Sequence, residues 1–305
     1  MRSGSICVLA AAVAAGIGLA GAAVPTLAHG TPQGYVAGDF HQHTTFTDGS
    51  TSLDYQMARN NQFGLDWWAN SECGGAYNRD GRQSGTGADP LNQTVYLDQL
   101  PGVTIFGNNL TVSGGHTNMW RWQSLRDYSF PALTNARAAY PSKVLIQGYE
   151  WNVPGAKPSG AGGSGHEHCS MGTVAGEFGA NASASVVAQF EYQFDLSDGD
   201  TVGGAAQGWT KSALANTDDA KMVEAAAWLQ TNYGAQSWLI PAHPERKKCW
   251  NVQTFRRLND AAPDVAFGFE GLPGRQRSPS RGEYNSTSVG GSTYGGCGIY
   301  AAKVL

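Results

Sequence analysis

Apolar and polar positions along this chain follow two rhythms. Short apolar runs bounded by turn residues predict strands at 35–40, 65–69, 143–148, 237–241 and 265–269. Helical patterns fall between them. The first covers 52–62, started by Ser52 and Asp54 and stopped at Gly64; the second covers 120–139 and is broken by Pro141. The third, 218–233, has Asn216 or Thr217 as cap, an Ala-rich interior and Gly234 at its end; the fourth covers 252–259. Strands alternating with helices predict an α/β fold with a parallel sheet, closed or open. Long stretches rich in Gly, Ser and Asn, at 74–117, 154–165 and 271–298, each follow a predicted strand. In a parallel fold they would gather at the C-terminal edge of the sheet, where sites are built. There is no internal repeat, P-loop or dinucleotide-binding pattern.

The chemistry follows those strand ends. In Gly38-Asp39-Phe40-His41-Gln42-His43, two histidines two residues apart at a strand end project to one side, so both imidazoles can face one metal ion. The turn Thr47-Asp48-Gly49-Ser50 adds a carboxylate. Such a mixed imidazole and carboxylate set suits a divalent transition metal. Ser71, Glu72 and Cys73 follow the strand 65–69, Glu150 follows 143–148, His243 follows 237–241 and Glu270 follows 265–269. His166 and His168 come after a Gly-rich turn, and His116 alone of the histidines beyond His29 stands in a polar loop away from this pattern. The run Asp195 to Asp200 lacks the spacing and closing Glu of a calcium loop and reads as a turn.

With 305 residues, 41% of them hydrophobic, the chain has the material for one barrel-sized domain. A formal net charge of −4 gives no long-range attraction for polymeric nucleic acid or an anionic membrane. Residues 1–28 combine Arg2, an apolar run and a small-residue end at Ala28, the pattern of a secretory signal peptide. An uncleaved anchor is the alternative reading. Cleavage leaves domain 29–305, secreted or periplasmic, with four cysteines. In an oxidising compartment the even count favours two disulfides in one of three connectivities that sequence does not separate; the pairing chosen as the expectation is Cys73 with Cys169 and Cys249 with Cys297.

Taken in order, these segments resemble the polymerase and histidinol phosphatase (PHP) family, in its secreted branch. The family's opening motif is matched by His41, His43 and Asp48, and its second by Gly64-Leu65-Asp66 with Ser71-Glu72-Cys73. Glu150 in Gly148-Tyr149-Glu150-Trp151, His168, and Ala242-His243-Pro244 match the rest. The resemblance spans about 34–305 and rests on the ordered set of motifs. It implies a distorted (β/α)7-type barrel and a cluster of two or three divalent ions, zinc, manganese or iron, held by His41, His43, Asp48, Cys73, Glu150, His168 and His243. It also implies a metal-bridging hydroxide that hydrolyses a small phosphorylated substrate.

In that scheme Glu150 bridges, Glu72 fixes a ring tautomer, and His243 and Arg275 act in catalysis, with Arg246, Lys247 and Lys248 as further phosphate-binding cations. Two departures stand out. Cys73 replaces a histidine, as a thiolate ligand, a disulfide partner or a lost ligand. The family's closing Asp-any-His pair does not follow Glu270, so the expectation is a sequence that lacks its last elements. An amidohydrolase and a non-catalytic binding module on the same scaffold are the alternatives.

Overall fold

The structure is a computed structural model and describes residues 36–49, 51–82, 95–156, 165–175, 182–244 and 250–270. In chain order it holds β1 (Gly38–Asp39), α1 (Leu53–Gln62), β2 (Trp67–Ala69), β3 (Glu72–Cys73), β4 (Ala76–Tyr77), β5 (Val112–Ser113), β6 (His116–Thr117) and β7 (Met119–Trp120). Then come α2 (Arg121–Ser124), α3 (Phe130–Ala139), β8 (Val144–Asn152), β9 (His168–Thr173), α4 (Ala182–Phe194), α5 (Asp219–Tyr233), β10 (Ser237–Pro241) and α6 (Val252–Ala261). Among the described residues no helix is long and apolar enough to cross a membrane.

Capping sets the helix starts. The Ser52 side chain accepts from Tyr55 N, and Asn251 accepts from Thr254 N. At α5 the cap is Asp218, one residue beyond the expected pair, accepting from Ala220 N. The predicted helix 120–139 is interrupted by a π-helical turn, Leu125–Ser129, just before Pro131 in the first turn of α3. Proline supplies no N–H and crowds the preceding turn, and widening that turn accommodates it. The acidic run is a chain of local turns. Asp195 accepts from Ser197 N, Asp198 from Asp200 N, and Asp200 from Val202, Gly203 and Gly204 N.

The main sheet runs β1-β2-β8-β9-β10, with β3 also pairing β8. Strands β1, β2, β3 and β8 are parallel, whereas β9 is antiparallel to both β8 and β10. This corrects the all-parallel, closed expectation: the sheet is mixed, strongly curled and open, a half-barrel. Strand β9 escapes sequence detection because Ser170 and Gly172 put small groups on one of its faces, hiding the alternation. The segment 265–269 forms no strand. It lies beside β10 through Leu239 N to Val265 O (2.9 Å) and Glu270 N to Pro241 O (3.0 Å), with Phe267 and Phe269 turned outward. Helix α4 also goes unannounced. Its Ser and Val residues are weak helix formers, and the polar Glu191 lies fully buried within it, which blurs the amphipathic signal.

Helices cover one face of the sheet. Tyr149, Trp151, Cys169, Met171 and Leu239 pack against α4, α5 and α6, while Trp68 and Leu145 pack against α1 and α3. Register partners share a face, so Glu150, its partners Ser170 and Cys73, and His168 project from the opposite side. Here Gly148 pairs with Gly172. A Cβ at Gly172 would lie 2.1 Å from the Trp238 indole, and one at Gly148 would lie 2.5 Å from the Met171 carbonyl oxygen. Gly148→Ala is therefore expected to destabilise the fold by about 1–3 kcal/mol through overpacking against backbone. Urea unfolding checks this; an unchanged midpoint would mean that the sheet yields freely at this point.

Candidate metal centre

Five groups meet at the Glu150 carboxylate. Oε1 lies 2.7 Å from His168 Nδ1, 3.0 Å from His243 Nε2 and 3.2 Å from His41 Nε2. Oε2 lies 3.1 Å from Cys73 Sγ and 3.4 Å from His43 Nε2. Glu150 arrives on β8, Cys73 on its neighbour β3 and His168 at the start of β9, so sheet register alone sets these three together. His41 and His43 follow β1, with their Nε2 atoms 2.9 Å apart, while Gln42 between them turns away to Asn60 and Asp39. His243 follows β10 in the left-handed region at φ 32°, an unusual conformation for a residue with a side chain. Glu270 accepts a bond from its N–H at 2.7 Å.

The order of strands makes this convergence informative. In a flat sheet, β1 and β10 would stand four strand spacings apart, about 19 Å. Yet His41 and His243, which follow these outermost strands, have ring centroids 5.8 Å apart. The curl of the sheet closes that distance.

Three overlapping groups have the makings of metal sites: His41, His43 and Glu150; His43, Asp48 and Cys73; and Glu150, His168 and His243, with the ligand atoms of each group within 4.8 Å of one another. Imidazole, carboxylate and thiolate are the donors that zinc and related ions take. Glu72, expected beside these ligands to fix a ring tautomer, stands apart from these groups. It is fully buried and accepts from Thr44 N at 3.1 Å and from the hydroxyls of Thr44 and Thr47. It shapes the loop that presents His43 and Asp48 and touches no ring. Gly49 closes that loop, since a Cβ there would lie 2.4 Å from the His43 carbonyl oxygen.

Cys73 and Cys169 are not joined to each other; both thiols are free. The expectation fails for a geometric reason: Cys73 shares a face with Glu150, while Cys169 pairs with Trp151 on the other face and is buried in the core. The expected pair Cys249 and Cys297, the expected leader 1–28, and Arg246, Lys247, Lys248 and Arg275 lie outside the described residues. His166 bonds Asp219 at 2.7 Å and His116 pairs with Asp98 at 3.2 Å, both away from the centre.

Glu270 is the residue whose part sequence reasoning leaves unassigned. Its carboxylate meets His41 Nδ1 and the His243 N–H, bracing the two outermost ligands. A carboxylate on the second ring nitrogen orients a ligand imidazole and makes it more basic. The signal available was its position, a carboxylate ending an apolar run. No family model matches the chain, and no curated protein and no solved structure matches it significantly. The site therefore rests on its own geometry.

Its electrostatics are those of a buried anion among imidazoles. Burial opposes ionisation of Glu150, but the charge and hydrogen bond of His168, with the bonds of His243 and His41, hold it well below the usual carboxylate range. For His41 burial works against the proton, but Glu150 and Glu270 outweigh it and raise the ring to about 10. Burial and the neighbouring charges of Glu150 and Asp48 push the Cys73 thiol well up.

Without metal, His41 thus carries a proton at neutral pH, and an ion that takes its Nε2 must displace that proton. Metal affinity is expected to rise with pH from neutrality toward about 10, with proton release on binding. Titration calorimetry in buffers of different ionisation enthalpy reads both, and a pH-independent affinity would remove His41 from the ligand set. Glu270→Gln should weaken metal binding about 10–100-fold with the fold intact, as read by equilibrium dialysis and circular dichroism.

Proposed function

We propose that this chain is a metal-dependent phosphoesterase of the PHP type that hydrolyses a small phosphomonoester or phosphodiester. The observation that carries the reading is the place of Glu150. One buried carboxylate belongs to two of the three ligand groups, each of its oxygens faces a different set of partners, and His43 belongs to two groups as well. A carboxylate shared in this way holds neighbouring ions close, which supports a centre of two or three zinc, manganese or iron ions. When bound, such ions lower the pKa of water toward neutrality and clamp the attacking and leaving oxygens of a displacement at phosphorus.

The chain's own groups do the positioning. Glu270 sets the His41 ring and the His243 backbone. Glu72 fixes the Thr44 to Thr47 loop. Asp48, the most exposed of the ligands, stands at the rim, where it can change partners as substrate enters. Export is inferred from residues 1–28, and Arg275 is proposed to grip a non-bridging phosphate oxygen. A metal-dependent amidohydrolase is the rival, because the same activated water can attack a carbonyl carbon.

A panel of phosphomonoesters, phosphodiesters and amides, assayed with added metal and with chelator, separates the two. Phosphate release abolished by chelator is expected; metal-dependent amide cleavage without phosphate release would move the assignment. Glu150→Gln and His43→Ala should each lower metal-stimulated turnover at least about 100-fold. Wild-type rates in both variants would dissolve the site.

A further inference from the structure

We propose that Cys73 serves as a thiolate ligand and makes the position it shares with His43 and Asp48 selective for a borderline-soft ion, zinc or cobalt, over manganese or magnesium. The inference rests on the metal-centre reading above and adds to it which position is distinct and why.

The geometry is that of one face of a tetrahedron. His43 Nδ1 to Asp48 Oδ1 is 3.4 Å, Asp48 Oδ1 to Cys73 Sγ is 3.5 Å, and Cys73 Sγ to His43 Nδ1 is 3.6 Å. These are the edges of a nearly equilateral triangle. Ligands on a tetrahedral zinc ion, with bonds of about 2.0–2.3 Å, lie about 3.3–3.8 Å from one another. The three donor atoms are therefore spaced for a single small ion, with the fourth corner open to Glu150 Oε2, 3.1 Å from the sulfur, or to water.

Several features keep the thiol in this place. Cys73 sits on β3 beside Glu150 on β8, so register aims it at the centre. Its loop continues through Gly74, where a Cβ would lie 1.9 Å from Asp195 Oδ2, and Gly75, whose N–H is held by the buried Glu191 at 2.9 Å. The backbone behind the sulfur is thus fixed, and Cys169, the other thiol among the described residues, is in the core on the far face. The Glu150, His168 and His243 group has only nitrogen and oxygen donors. Soft sulfur favours zinc and cobalt, whereas carboxylate and imidazole also accept manganese. The two positions should therefore sort ions differently.

The test is cobalt binding to the metal-free full chain, followed by absorption and by equilibrium dialysis. A near-ultraviolet sulfur-to-cobalt charge-transfer band is expected in the wild type, displaced by zinc and left unchanged by excess magnesium or manganese. Cys73→Ser should lose the band. Cys73→His should also lose it, yet still bind cobalt, and should be at least about tenfold easier to compete with manganese. Zinc, but not magnesium, should protect Cys73 from alkylation, as mapped by peptide mass; this holds the test open if Cys73→Ser does not fold. Bound cobalt without the band, or a band that survives in Cys73→His, overturns the thiolate position and leaves the metal centre standing. No tightly bound divalent ion at all overturns both.

Discussion

A carboxylate taken out of water needs opposite charge around it, and Glu150 has been taken almost completely out of water. Desolvating an ion of this size costs several kcal/mol even after the protein relaxes. No lysine or arginine among the described residues bonds to it. The partners it has are three imidazoles on one oxygen, with a fourth imidazole and a thiol on the other. Neutral imidazoles and a thiol do little for a buried anion unless a proton or a metal ion is shared among them. The site is organised around a positive charge held between these side chains, which the proton on His41 supplies without metal and which a bound ion would supply in its place.

Everything that surrounds Glu150 serves to bring those partners from distant parts of the chain. The curl of the sheet carries the outermost strands toward one another. The Gly148–Gly172 pair leaves room for the Trp238 indole and the backbone at the bend. Two further carboxylates hold the ligands in position. Glu72 pins the loop after His43, and Glu270 bridges from His41 to the backbone of His243. The left-handed backbone at His243 is held by that same contact, which is how strain persists at a site: the surroundings over-determine it.

Glu270 beside His41 gives that ring a carboxylate that fixes its orientation. Cys73 adds a sulfur to a cluster whose other donors are nitrogen and oxygen. Its sulfur completes a triangle of ligand spacing that a tethered or oxidised cysteine would break.

The sequence by itself determined the local features: where α1, α5 and α6 lie, the capping by Ser52, and the gathering of His and carboxylate residues just beyond strand ends. These depend on neighbours within a few positions, so periodicity, propensity and turn chemistry suffice to read them. It also set His41, His43, Asp48, Cys73, Glu150, His168 and His243 beyond or at strand ends, and strand ends in an α/β fold gather at one edge, where these side chains lie together. Tertiary structure alone decided the antiparallel β9, the burial of Glu191 in α4, the half-barrel in place of a closed one, and the fates of Glu72, Glu270 and the two cysteines. Each of these turns on which face of the sheet a residue occupies and how far the sheet bends. Those are properties of pairings between segments distant along the chain, up to 229 residues apart for His41 and Glu270, and no local window contains them.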